Sequence, residues 1–159
     1  MEQKTLSKWL RIIIIGAGIV GLIVYFAIIP AYATETRTLY PEFSDRYWPW
    51  LVFIWITAAP CYAALVFGWK IALNIGKDRS FSKENARYLK IIAVLAAVDS
   101  IYFFIGNVVL LFANMSHPGV TLFSLLIVFV GAAISVASAV VSHLVQKAAV
   151  LQEQSDLTI

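Results

Sequence analysis

Four long apolar segments dominate this 159-residue sequence and decide what it can fold into. They cover approximately residues 9–29, 50–70, 90–113 and 120–146, so that each reaches or nearly reaches the ~20 residues that span ~30 Å of hydrocarbon as an α-helix. Because 61% of the residues are hydrophobic and only 13% are charged, the chain has more apolar surface than a soluble domain of this size could bury. The segments also lack the alternating pattern of a transmembrane barrel. We therefore predict an all-α integral membrane protein, with residues 1–159 forming a single four-span domain packed as an antiparallel four-helix bundle.

Basic residues are divided unequally between the two sides of such a bundle. Ten of the twelve Lys and Arg residues lie on one side: three at residues 4–11 near the start of the first segment, six at residues 70–90 around the connection between the second and third, and one after the fourth. The connection at residues 31–49 carries Arg37 and Arg46 beside three acidic residues, and the turn at residues 114–119 carries no Lys or Arg. The positive-inside rule then predicts cytoplasmic N and C termini. Since the net charge of +3 reflects this topology, we expect the lipid bilayer as a partner and no nucleic acid.

The first segment contains two patterns that have other meanings in other proteins. Its basic leader, apolar run and small residues at 31 and 33 resemble a secretory signal peptide, but the run of about 18 residues is longer than the ~7 to 15 of a signal peptide. We expect an uncleaved span. Gly16, Gly18 and Gly21 spell the dinucleotide-binding pattern G-x-G-x-x-G, yet the apolar residues continue past them and leave no polar mouth for a pyrophosphate. These glycines are better interpreted as sites where another helix approaches closely.

Asp99 is the only acidic residue within the four segments and is the strongest candidate for chemistry there. It lies ~12 Å inside the third segment, where a carboxylate costs at least ~2.5 to 3.5 kcal/mol, so it needs a partner. Cys61 and Tyr62 in the second segment and Ser135 and Ser138 in the fourth lie at a similar depth, and Asn107 extends the polar arc outward. We predict an intramembrane polar cluster of Asp99, Tyr62, Ser135, Ser138 and Asn107. Its structural interpretation is hydrogen bonding between helices, and its functional interpretation is a cavity for a proton, a small solute or a lipid head group.

The connection between the second and third segments carries the most specific local pattern. Ser82 is a suitable N-cap, Glu84 in the first turn is favoured by the helix dipole, and Phe81 can pack back onto that turn. This pattern predicts a helix that begins near Lys83 and runs directly into the third segment. The predicted loop motif consists of Arg79, Phe81, Ser82, Lys83, Glu84, Asn85 and Arg87.

The same motif carries a resemblance to a known family. Residues 81–85, with the sequence Phe-Ser-Lys-Glu-Asn, are followed by Leu89 and by an apolar start to the third segment at residues 91–93. This pattern and the four-span layout resemble the YoaS-like membrane proteins, domain-of-unknown-function family 2975. The resemblance implies a small bacterial membrane protein with four helices, often encoded beside a small helix-turn-helix regulator, so we expect a multi-pass protein of the bacterial cytoplasmic (inner) membrane. It implies no reaction, because the family has no assigned activity.

Two functions from different classes fit the sequence. The first is a regulatory, immunity or scaffolding membrane protein whose basic connection, residues 76–90, contacts a membrane or cytoplasmic protein partner or anionic lipid. The alternative is a small proton-coupled transporter or channel centred on Asp99, built within one bundle or from a homo-oligomer.

The sequence favours neither an enzyme nor a bound cofactor. It lacks a nucleophile elbow, a zinc-protease motif, a phosphate loop and a Cys-x-x-Cys pair, and Asp99 lacks the second carboxylate of an aspartyl protease dyad. No Cys, His or carboxylate cluster has metal-ligand spacing. We therefore expect no catalytic residue, no metal and no cofactor.

Overall fold

The structure, a computed structural model, describes residues 2–39, 41–116 and 118–156. The helices are α1 (Gln3–Ile23), α2 (Ile29–Leu39), α3 (Tyr47–Gly76), α4 (Lys83–Phe112) and α5 (Pro118–Asp156). A π-helical turn, Val24–Ile28, joins α1 to α2, and a 3-10 helix, Pro41–Arg46, precedes α3. Within the described residues there is no strand, and four helical rods are long and apolar enough to cross a membrane: Gln3–Leu39, Ser44–Gly76, Lys83–Phe112 and Pro118–Ser155. The predicted all-α fold with four spanning helices is confirmed.

The first rod continues well beyond the apolar segment that predicted it. Residues 31–49 were expected to form a connection, but α2 continues as far as Leu39 and α3 already begins at Tyr47. The expectation was wrong because hydropathy marks where a chain leaves lipid and not where its helix ends. Alanine, threonine and glutamate dominate residues 31–38, and none of them interrupts helical hydrogen bonding.

Two tight turns join the remaining rods. At the end of α3 the N–H of Arg79 donates to the carbonyl oxygen of Asn74 at 3.0 Å, and Asp78 adopts a left-handed conformation with φ of 59°. The end of α4 follows the same pattern, with Asn114 at φ of 54°. These are Schellman motifs in which Asp and Asn occupy the position where glycine is commonest. Because both turns are short, consecutive rods run antiparallel.

The four rods pack as an open row. α1 contacts α3, α3 contacts α4, and α4 contacts α5. In the described part of the chain no Cα atom of α1 lies within 8 Å of α4 or α5, and none of α3 lies that close to α5. Each rod therefore packs against its neighbours in the chain, and one copy of the protein does not close into a ring around a central axis.

Small and polar residues form the contacts between the rods. Ala72, Ala86 and Ala93 are at most 5% exposed, whereas among the described residues Leu51 is the one large apolar side chain buried as completely. Most other large apolar side chains are exposed, as Phe129 is at 72%. This pattern is typical of helices that associate in lipid, where backbones approach through small residues and the bulky ones face acyl chains.

The start of α1, the end of α5 and the α3–α4 connection meet at one end of the row. Ser80 in the connection donates to the side chain of Gln3 at 2.9 Å, and Lys83 forms an ion pair with Glu153 near the end of α5 at 2.6 Å. We call this end, comprising residues 2–11, 76–90 and 143–156, the basic end.

Candidate functional site

Asn85 is the centre of the basic end and is only 1% exposed. Its side-chain oxygen accepts a hydrogen bond from Nδ2 of Asn74 at 2.9 Å. Its own Nδ2 donates to the carbonyl oxygens of Arg79 and Ser80, each at 3.0 Å. Both N–H groups of the Asn85 amide are thus used, and they hold the backbone of the connection against the ends of α3 and α4. A buried amide with every donor satisfied fixes a loop in one conformation.

The predicted start of α4 is confirmed. Lys83 is its first residue, and the hydroxyl oxygen of the N-cap Ser82 accepts a hydrogen bond from the backbone N–H of Asn85 at 3.2 Å. Glu84 is the acidic residue of the first turn. Phe81 differs from expectation, because 58% of it is exposed and little of its ring is buried against that turn. The backbone of the loop motif is therefore ordered, while its aromatic residue faces outward.

Glu84, in the first turn of α4, adds an acidic side chain to the basic end. Its carboxylate accepts hydrogen bonds from the hydroxyl of Tyr88 at 2.7 Å and from Nδ2 of Asn74 at 3.2 Å. The ammonium of Lys70 lies 5.5 Å from the centre of the Tyr88 ring. As a carboxylate, Glu84 offsets part of the positive charge of the basic residues around it.

Two buried serines connect the outer rods to this end. Ser7 of α1, 2% exposed, donates to the carbonyl oxygen of Ala72 on α3 at 2.6 Å. Ser142 of α5, 7% exposed, donates to the carbonyl oxygen of Ala86 on α4 at 2.6 Å. Each hydroxyl donates its hydrogen bond across a helix interface, so that neither buried O–H group lacks an acceptor. All four rods are thus connected by hydrogen bonds at the basic end. The bonds that join α3 and α5 to α4 are made at Asn85 and at the adjacent Ala86.

The surface of the basic end is charged and concave. Lys77, Arg79 and Arg87 are exposed. A groove of about 450 Å³ lies between the connection and α5 and is lined by Asp78, Arg79, Phe81, Ser82, Lys83, Glu84, Ala149, Gln152 and Glu153. Because the Lys83–Glu153 pair in it is about 60% exposed on both sides, it contributes no more than about 1 kcal/mol to stability.

The second candidate site, the intramembrane cluster, is not assembled as the sequence predicted. Tyr62 donates to the carbonyl oxygen of Gly18 at 2.8 Å, and Ser135 donates to that of Ala93 at 2.8 Å. Asn107, 4% exposed, donates to Phe103 of its own helix. Ser138 is half-buried and forms no side-chain hydrogen bond within the described residues. Equal depth did not bring these residues together, because in an open row they point to different interfaces.

Asp99 has another partner. Its Oδ2 accepts a hydrogen bond from the thiol of Cys61 at 3.6 Å, and the Cys61 sulfur lies 3.8 Å from the hydroxyl of Tyr25. That hydroxyl is 2.8 Å from Oγ1 of Thr57. The side chains form a polar chain from the first rod to α4. Oδ1 of Asp99 is buried, and no described residue forms a hydrogen bond with it.

The π-helical turn of the first rod explains why Tyr25 belongs to this chain. The N–H of Ile29 donates to the carbonyl oxygen of Val24, five residues back. The residue five after Tyr25 is Pro30, which has no N–H, so the carbonyl oxygen of Tyr25 loses its helical donor. The indole N–H of Trp55 on α3 supplies one at 2.9 Å. Sequence reasoning missed Tyr25 and Trp55, although Pro30 at the end of the apolar run was the available signal.

No group of three or more His, Cys, Asp or Glu side chains that could hold a metal ion occurs among the residues described. Hydrogen-bonding and charged side chains are concentrated at the basic end and around Asp99.

Comparisons with known proteins identify relatives without an assigned activity. A model of the family described as "Protein of unknown function (DUF2975)" matches residues 31–159. The chain is 32% identical over 160 residues to a protein of Bacillus subtilis (strain 168) named uncharacterized membrane protein YoaS, and the alignment covers 99% of each chain. No solved structure matches.

Proposed function

The chain belongs to the DUF2975 family of proteins of unknown function, and from that premise we propose that it is a membrane-anchored docking protein whose basic end binds a protein partner. Its role is regulatory, immunity-related or scaffolding, and the proposal includes no catalytic step. The partner is a protein segment with acidic and apolar side chains, since the surface offers exposed cations beside an exposed aromatic ring.

The proposal places the protein in the cytoplasmic membrane of a bacterium as a multi-pass protein, with the basic end in the cytoplasm. The distribution of Lys and Arg supports this orientation. The relative named as a membrane protein is bacterial.

The exposure of Phe81 on an ordered connection is the observation that carries this proposal. Phe81 is 58% exposed and lies outside the apolar segments, so much of its ring is not stabilised by burial in the described chain. Large aromatic side chains of this kind are preferred anchors of protein interfaces. The Asn85 amide and the Ser82 cap hold the backbone on either side of Phe81, so that a partner would not have to order the connection on binding. Lys77 and Arg79, four and two residues before it, add positive charge to the connection.

Photo-crosslinking tests the docking surface. With a photoreactive phenylalanine derivative at position 81, we expect a discrete adduct with one protein in cells, because that side chain would lie inside the interface. Charge reversal by Lys77→Glu with Arg79→Glu should reduce this adduct at least fivefold, since both cations are exposed and their loss leaves the fold intact. The adduct is quantified by immunoblotting at equal membrane abundance.

The same derivative at position 129 of α5 provides the matched control, since Phe129 is 72% exposed on a face suited to lipid. We expect no discrete protein adduct there. Identical adducts at positions 81 and 129, or an adduct at position 81 that survives charge reversal, would exclude docking through the basic end.

Asp99 supports a second candidate function, proton-coupled transport. Its Oδ1 is buried without a hydrogen bond from any residue described, and the thiol on its other oxygen is a weak donor. A carboxyl so weakly held in lipid is suited to gain and lose a proton. Because the open row does not surround Asp99, such a path would require a second copy of the chain.

Asp99→Asn separates this candidate from docking. The substitution keeps the side-chain shape and removes the exchangeable proton. Transport predicts that proteoliposomes containing the wild-type chain dissipate a pH gradient and that the variant loses this flux almost completely, as measured with an entrapped pH-sensitive dye. Docking predicts instead an unchanged adduct at position 81. Equal flux in both proteins would eliminate proton coupling through Asp99.

A further inference from the structure

A second concavity lies on the outer face of α4, apart from the docking groove. This groove has a volume of about 390 Å³ and is lined by Arg87, Lys90, Ile91, Val94 and Leu95. These positions recur at intervals of three and four residues, so they share one face of the helix. They extend over eight residue steps, or ~12 Å along the axis, from charged side chains to wholly apolar ones.

The other faces of α4 are already occupied. Ala86 and Ala93 accept hydrogen bonds from serines of α5, and Tyr88 packs against Phe67 of α3 with ring centres 5.6 Å apart. Within the described residues the groove is lined by α4 alone, and Val94 on it is 54% exposed. An occupant would therefore contact α4 and no other described helix.

The charges at the mouth of the groove are available for an anion. Arg87 and Lys90 form no ion pair within the residues that the structure describes, and the nearby Lys83 is paired with Glu153. Glu84, the nearest carboxylate in sequence, accepts hydrogen bonds from Tyr88 and Asn74 instead.

We propose that this face of α4 binds one anionic phospholipid, with the head-group phosphate on Arg87 and Lys90 and an acyl chain along Ile91, Val94 and Leu95. The order of the residues matches a lipid, because the two cations lie nearer the start of this span and the apolar floor of the groove lies further into it. Arginine supplies a planar pair of donors for phosphate oxygens, and lysine adds a point charge.

A second copy of the chain fits the same face poorly. A two-fold interface centred on it would place Arg87 and Lys90 against the same two cations of the other copy, and like charges would oppose association. A phospholipid brings the opposite charge and an apolar chain together in one molecule.

Native mass spectrometry of the full-length protein in a non-ionic detergent tests this proposal with phosphatidylglycerol and phosphatidylcholine as probes. We expect the wild-type chain to retain one phosphatidylglycerol at least tenfold more tightly than phosphatidylcholine. Arg87→Gln with Lys90→Gln should weaken phosphatidylglycerol binding by about tenfold or more. Val94→Trp, which fills the groove and leaves both charges, should also weaken it.

Lys77→Gln with Arg79→Gln is the matched control, since it removes the same charge from the neighbouring connection. This control should bind phosphatidylglycerol like the wild type. Equal losses in the two double variants, or no preference for phosphatidylglycerol, would overturn the lipid site. Competition by glycerol phosphate at the concentration at which the lipid binds would show a simple phosphate site instead. The crosslink at position 81 is measured independently, so failure of the lipid site leaves the docking proposal standing.

Discussion

Asn85→Leu is expected to cause the largest loss of stability of any single substitution at the basic end, about 3 kcal/mol. The replacement has a similar volume but no polar atoms. It leaves the carbonyl oxygens of Arg79 and Ser80 without the donors that Asn85 provides, and it removes an acceptor from Asn74. Because Asn85 is 1% exposed, water would not replace these hydrogen bonds without opening the connection.

Thermal denaturation in detergent, followed by the loss of the monodisperse peak in size-exclusion chromatography, measures this effect. Asn85→Asp is the informative companion, since a carboxylate keeps the acceptor for Asn74 and faces two carbonyl oxygens with no N–H; we expect it to be nearly as damaging. Gln146→Leu, an exposed change on α5, is the control and should denature like the wild type. If Asn85→Leu also denatured at the wild-type temperature, the amide network would not hold the connection.

Gly106→Ala is expected to give the second largest effect, a loss of about 2 kcal/mol through overpacking. A Cβ atom at Gly106 would overlap the ring of Phe53 on α3. That ring has little freedom to move, because it stacks on Phe103 with ring centres 5.7 Å apart and lies 5.2 Å from the ring of Tyr102. The added methyl group must therefore separate α3 from α4.

Gly16→Ala is the matched control for this substitution. Both glycines lie in spanning helices, but a Cβ at Gly16 would meet no atom within 4 Å. The control should denature at or slightly above the wild-type temperature, since alanine is the better helix former. Equal effects of the two alanines would mean that α3 and α4 do not pack through Gly106.

The rods and the loop motif could be predicted from the sequence because their signals are local. Hydropathy over ~20 residues identifies a span, and Ser82 precedes α4 with the residues of an N-cap. Asn85 was included in the predicted loop motif, but its role depends on Asn74, eleven residues away and beyond the turn. No local pattern indicates that two amides on different helices will meet.

The polar cluster around Asp99 could not be predicted because it depends on the rotation of each helix. Depth along the membrane placed Cys61 and Tyr62 equally well beside Asp99, yet adjacent residues point ~100° apart around a helix. The structure turns Cys61 to Asp99 and Tyr62 to Gly18. The open arrangement of the rods then places Ser135 at another interface.

Cysteine accessibility in intact cells is the measurement that tests the account most directly, since docking requires the whole basic end to lie in the cytoplasm. In a Cys61→Ser background, Lys77→Cys and Gln152→Cys report on the basic end and Thr38→Cys on the opposite end, and all three positions are exposed. We predict that a membrane-impermeant maleimide labels only Thr38→Cys in intact cells and labels the other two after permeabilisation. Labelling of Lys77→Cys or Gln152→Cys before permeabilisation would contradict the account.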